Sequence, residues 1–174
     1  MAGSRRLARQ HAFVVICSLD SHLNISGSAL GLFLTAASRE EELAPDEKPL
    51  VPRAILEDET DFARALILGV SAHLKEIDEK IGSISINWSM DRMALIDRNI
   101  LRLGVYELMF EEQTAVGVII NEAVELAKKF GEHSSIQGDR RRYSHHFVNG
   151  ILDKVAVELG RTQPSSKKNR GRNN

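Results

Sequence analysis

Residues 90–111, MDRMALIDRNILRLGVYELMFE, decide the fold. Ile96, Ile100 and Leu103 recur at helical spacing, and Leu101, Val105 and Leu108 make a second apolar row on another face. A helix that is apolar on several faces has to be surrounded, so this segment is expected to be the central helix. Gly104 in its middle costs about 1 kcal/mol relative to alanine. Close approach of a neighbouring helix would explain it.

The same period extends outward in both directions. Upstream, Phe62, Leu66, Val70, Leu74, Ile77 and Ile81 form an unbroken stripe. It predicts one helix that Asp58 caps, with Asp61 in the first turn, and that Gly82 stops. A short link over 83–89 follows, in which Ser89 can cap the central helix. Downstream, Ile119, Ala123, Leu126 and Phe130 predict a helix over 117–130, closed by Lys128, Lys129 and Gly131. After a polar loop, Phe147, Ile151, Val155 and Leu159 predict a last helix from Ser144 to Gly160. At the start, Ala8, Ala12, Val15, Leu19 and Leu23 predict a helix over 5–23. The run Phe13-Val14-Val15-Ile16 competes as a strand, but the flanking spacing suits a helix. Leu30 to Ala37 reads as a shorter helix, and Glu40 to Pro52, with three prolines, as a loop. The fold class expected is all-α, a bundle of six or seven helices. It would fill residues 1–160 and be followed by a disordered basic tail over 161–174.

Composition agrees. The chain has 174 residues, 43% hydrophobic and 27% charged, enough for one domain with a real core. Aromatics are only 5% and prolines four, which favours helices over a sheet. The single cysteine, Cys17, excludes a disulfide scaffold and a multi-cysteine zinc cluster. No apolar run approaches the ~20 residues that cross a bilayer, and no signal peptide is legible, so a cytoplasmic protein without a membrane role is expected.

The net charge of −1 conceals segregation. Arg5, Arg6 and Arg9 open the chain without an acid, Arg140, Arg141 and Arg142 are consecutive, and Lys167, Lys168, Arg170 and Arg172 lie beyond Arg161. Arg39 to Asp61 instead holds nine acids against three bases. One face for a polyanion and another that repels it would account for this, and so would solubilising ends. Arg5, Arg6 and Arg9 fall three and four residues apart, so their guanidinium groups can converge on a phosphate backbone. Catalysis finds no support: there is no phosphate loop, nucleophile elbow or HExxH, and no cofactor is expected. Cys17 reads as a small buried hydrophobe. His133, His145 and His146 lack a spaced acid to complete a metal set. Base recognition needs stacking surfaces as well as charge. Phe130, Tyr143 and Phe147, near the arginine-rich loop, are the aromatic candidates, each with a core role as the alternative.

Several blocks together resemble the transcription antitermination factor NusB family. They are Trp88-Ser-Met-Asp-Arg92, Ile96-Asp-Arg-Asn-Ile-Leu-Arg102 and Tyr106-Glu-Leu108. With them come Ile120-Asn-Glu-Ala-Val-Glu-Leu-Ala-Lys-Lys-Phe-Gly131, Phe147-Val-Asn-Gly-Ile-Leu-Asp-Lys154 and the opening Arg5-Arg6-Leu-Ala-Arg9. The resemblance spans nearly the whole chain and is poorest over 24–57. It implies two helical subdomains and a non-enzymatic factor that binds boxA-type single-stranded RNA of ribosomal and related transcripts. It also implies the ribosomal protein NusE as partner, within the antitermination complex on RNA polymerase. Arg5, Arg6 and Arg9 match the family's RNA-binding arginines. Asp97 and the positions around Phe147, His146 among them, match a surface used for RNA or NusE.

Three departures stand out. The segment from Glu132 to Tyr143 is long, with Tyr143 in place of an acid, although its arginines add phosphate attraction. Cys17 stands where an aromatic is common, and a proline near the start of the 117–130 helix is missing. The rivals are an RNA-recognition domain related to that of rRNA cytosine methyltransferases, and a helical interaction protein that dimerises through its arginine face. A homodimer is compatible with the favoured reading too. That reading requires the three amino-terminal guanidiniums to face outward together, and carboxylates holding them would contradict it.

Overall fold

A computed structural model describes residues 2–21, 57–85, 88–131 and 144–161. The segment expected as a helix at Leu30 to Ala37, the acidic loop, Tyr143, Arg140 to Arg142, His133 and the tail beyond Arg161 lie outside the described residues. Those described form six α-helices and no strand: α1 Ala2–Ser21, α2 Glu57–Ala72, α3 Leu74–Ile84, α4 Leu95–Phe110, α5 Val116–Gly131 and α6 Ser144–Glu158. A 3₁₀ turn, Met90–Arg92, precedes α4. The all-α expectation holds.

Helix α4 is central, as its several apolar faces require, and it packs on each of the other five helices. Ile100, Leu101, Leu103, Val105 and Leu108 are all buried. Around it, α1 pairs most extensively with α2, and α5 with α6. The first pair closes over Ala12, Phe13, Ile16, Leu66, Ile67 and Val70, the second over Ile119, Ala123, Leu126, Val148, Leu152 and Val155. Gly104 plays the part expected of it. A Cβ there would stand 2.9 Å from a methyl of Leu152, so the missing side chain lets α6 close on α4. Gly69 does the same for Tyr106, whose ring carbons would lie 2.1 and 2.4 Å from an added Cβ.

The structure corrects three boundaries. The long apolar stripe from Phe62 to Ile81 belongs to two helices, broken at His73 (φ −109°, ψ 17°). The ring of His73 stacks on Phe110 at 4.1 Å, an aromatic contact that periodicity does not reveal. Gly82 does not stop α3, which continues to the buried Ile84. The segment from residue 90 is not one helix: Met93 and Ala94 are extended (ψ 141° for both) between the 3₁₀ turn and α4.

The end of α6 follows the expectation and then adds to it. Gly160 takes φ +68°, Gly160 N–H donates to the Val157 carbonyl, and Arg161 N–H donates to that of Ala156. This is the paired 6→1 and 5→2 bonding of a Schellman termination, for which glycine is suited. Arg161, placed in the tail by its sequence context, belongs to the fold. Its guanidinium donates to the carbonyls of Glu107, Leu108, Glu111 and Thr114 at 2.6–3.1 Å. A cation there adds a donor to carbonyls at and just beyond the end of α4, where the helix dipole is negative. Hydrogen bonds to a charged group contribute about 1.5–3 kcal/mol. Arg161→Ala should therefore lower the unfolding free energy by that order, read as a lower urea midpoint at an unchanged m-value, and an unchanged midpoint would show the cap to be idle.

Candidate nucleic-acid interface

Helix α1 carries the three arginines, and its rotation decides which of them meet solvent. Ala8, Ala12, Phe13, Ile16 and Leu19 face inward. Arg9 lies three and four residues before Ala12 and Phe13, so it shares their face. It is 3% exposed and grips Glu107 of α4, itself 2% exposed, with Nε at 3.0 and 3.1 Å and Nη2 at 2.7 Å. The expectation that Arg9 presents its charge to a phosphate is corrected: that guanidinium is spent inside. Removal from water pushes the Glu107 carboxyl above the usual carboxylate range, with the Arg9 contact opposing.

Arg6 points outward and is 54% exposed. Glu122 of α5 holds its Nε and Nη2 at 2.7–3.1 Å, which leaves Nη1 free of that carboxylate. Arg5 is exposed, with its guanidinium carbon 5.2 Å from the centre of the Phe62 ring. No carboxylate pairs with it among the described side chains, which on α2 begin at Asp61. The three arginines thus separate: Arg5 open, Arg6 open but paired, Arg9 enclosed, so the expectation of three outward guanidiniums free of carboxylates fails for Arg6 and Arg9.

The far end of α1 is tied by a second ionic cluster. Asp20 accepts from Arg98 Nε and Nη2 (2.9 and 2.7 Å), from Asn99 Nδ2 (2.8 Å) and, through its other oxygen, from Arg102 (2.9 Å). Arg102 also donates twice to Asp78 of α3 at 2.8 Å. Burial works against the Asp20 carboxylate, but the hydrogen bonds from Arg98, Asn99 and Arg102 outweigh it and hold its pKa low. Cys17 nearby has its thiol pushed up to about 12, first by burial and then by Asp20. The thiolate is the reactive form, so native Cys17 should react slowly with a disulfide reagent at pH 8 and quickly once unfolded. Equal rates would place the thiol in solvent.

The second group of candidates gathers at the start of α6. Asp97 accepts the Ser144 hydroxyl at 2.5 Å, and burial raises the Asp97 carboxyl against that hydrogen bond. Asp97, His146 and Phe147 line a cavity of about 520 Å³ together with Trp88, Arg92, Met93 and Ala94. Trp88 is 55% exposed, its ring centre 5.8 Å from that of Phe147. The sequence marked Trp88 only as part of a motif. An indole in a polar link was the available signal that it belongs to a surface. Phe130 is placed differently: it is half-buried against Phe13 of α1, ring centres 4.9 Å apart. His145 and His146 sit 4.2 Å apart, ring to ring. No group of three metal-ligating side chains forms among the described residues.

The helical bundle that carries these surfaces is that of a known family. The NusB family model matches residues 6–157, and the chain belongs to that family. It is 38% identical over 159 residues to the transcription antitermination protein NusB of Myxococcus xanthus, covering 91% of this chain and 99% of that one. The NusB of Anaeromyxobacter dehalogenans is 49% identical, with 91% and 94% covered. Among solved structures, T. maritima NusB superposes with a TM-score of 0.63 at 30% identity, covering 88% and 91% of the two chains. A crystal structure of antitermination factors NusB and NusE in complex with dsRNA superposes at 0.66 and 26% identity, covering 91% and 99%.

Breaking a buried ion pair from one side costs about 3–5 kcal/mol. Arg9→Met should lose that much at pH 7. The carboxyl of Glu107 is raised in the folded state, so the stability linked to its proton is present below its unfolded pKa. It is lost as pH rises through the folded value. Without Arg9 that loss deepens, so the deficit of Arg9→Met should shrink from pH 7 to pH 5. Urea titrations at both pH values check it, and a deficit that grows on acidification would contradict the pairing.

Proposed function

We propose that this chain is a non-enzymatic transcription antitermination factor of the cytoplasm. It would bind boxA-type single-stranded RNA jointly with ribosomal protein NusE, in the antitermination complex on RNA polymerase. One observation carries this: the chain matches, over nearly its whole length, a protein solved with NusE and RNA. The surface chemistry supports it. Arg5 and the free edge of Arg6 offer cations to phosphates at the start of α1. Trp88 and Phe147 offer rings on which unpaired bases can stack, beside Arg92 and His146. Arg140, Arg141, Arg142 and Tyr143 extend the same role in a segment outside the described residues. The non-enzymatic reading is supported by relatives named for transcription antitermination.

Electrostatic grip alone gives modest, salt-sensitive affinity, which a partner covering the rest of the RNA would raise. Fluorescence anisotropy with boxA and scrambled RNA, with and without NusE, tests the reading. Tighter binding of boxA in the presence of NusE is expected. The double variant Arg5→Gln with Arg6→Gln should reduce the slope of log K against log salt by about 0.7 per lost contact. Equal affinity for both RNAs and no effect of NusE would overturn it.

A further inference from the structure

Arg9 leaves the outer surface one cation short of the trio that the sequence places there, and α5 supplies another. Lys129 extends from the last turn of α5 to α1, where its ammonium donates to the side-chain oxygen of Gln10 at 2.6 Å. The same nitrogen lies 5.5 Å from the centre of the Phe130 ring. Gln10 follows Arg6 by four residues, about 6 Å along the helix axis at 1.5 Å per residue. Arg6–Glu122 and Gln10–Lys129 therefore succeed one another along a single seam between α1 and α5.

The cations on this seam are not equivalent. Glu122 neutralises Arg6 and Glu125 neutralises Lys128, each at 2.7 Å. Lys129 is held by a neutral amide and a ring, and no carboxylate pairs with it among the described residues. Arg5 is in the same position, over Phe62. A lysine fixed by an uncharged partner keeps its full charge and loses part of its rotamer freedom before any ligand arrives. Of these two cations, Lys129 lies on the α1–α5 seam with the Arg6–Glu122 pair, and Arg5 lies toward α2, over Phe62.

We propose that Lys129 is a phosphate contact for the RNA backbone, with Gln10 as its positioning residue, so that the phosphate track runs along the α1–α5 seam past Arg6 to Lys129. This rests on the RNA-binding reading above and names a residue for it. The ligand chemistry is the phosphodiester, because a lysine ammonium is a point charge that carries no base-edge specificity here.

The test uses the full chain and boxA RNA in anisotropy titrations across salt concentrations. Lys129→Gln should lower the salt slope by about 0.7 and the affinity about fivefold at 0.1 M salt. Lys129→Arg should restore the slope. Gln10→Ala, which keeps the charge but frees the side chain, should weaken binding at an unchanged slope. Lys75→Gln, removing a cation 90% exposed on α3, should leave both quantities as in the parent chain. Thermal melts of each variant separate lost contacts from lost fold. If the parent chain binds boxA RNA and Lys129→Gln matches Lys75→Gln in slope, the seam assignment is wrong while the RNA-binding reading survives. If the parent chain does not bind boxA RNA at all, both fall together.

Discussion

Glu107 is a carboxylate on the one helix that every other described helix touches, and it is almost wholly removed from water. An ionised group there is tolerated only when paired and hydrogen-bonded. Arg9 supplies both, with two guanidinium nitrogens on the two carboxylate oxygens. Arg5 and Arg6 stand one turn earlier on nearly the same side of α1, and Arg5 and Arg9 both reach the Phe62 ring. What exposes the first two is their place at the amino end of α1, while the core takes Arg9.

Asp20 enforces the same rotation from the other end. It lies eleven residues after Arg9, close to three turns, and so returns to nearly the same face. There it meets Arg98, Asn99 and Arg102 of α4. With Arg9 bound to residue 107 and Asp20 to residues 98–102, α1 and α4 run antiparallel and are pinned at two points. Such buried polar ties contribute less net stability than apolar packing of the same volume, but they admit few alternative registers. Arg161 adds a third tie by closing the carboxyl end of α4 with the residue that follows α6. The same helix then carries Asp97 at its amino end, where the hydroxyl of Ser144 sets the start of α6 beside Trp88 and Phe147.

Much of this was legible in the sequence where a local rule sufficed. Leu101, Val105 and Leu108 on a second face announced a surrounded helix, and Gly104 announced the close approach of Leu152. Gly160 announced the stop of α6. What failed were judgements that depend on partners far along the chain. Arg9 and Arg6 are both arginines in a basic opening segment, yet their fates differ because Glu107 and Glu122 lie on different helices. One clue was present: Arg9 lies three residues before Ala12 of the expected stripe Ala8, Ala12, Val15, Leu19 and Leu23, and four before Phe13, so it borders the buried face. The break at His73 depends on Phe110, and the order of Arg161 on carbonyls some fifty residues earlier. The family blocks brought Asp97 and Phe147 to notice, but only the fold joins them to Trp88 in one cavity.

The division of labour between an inward and an outward arginine is best tested by watching the guanidinium groups themselves. Arginine Nε–H signals of ¹⁵N-labelled protein, followed by NMR while boxA RNA is added, report on each side chain separately. Arg9 should show slow hydrogen exchange in the free protein and keep its position throughout the titration, while Arg5 and Arg6 move. An Arg9 signal that exchanges rapidly with solvent, and shifts most on addition of RNA, would contradict the account.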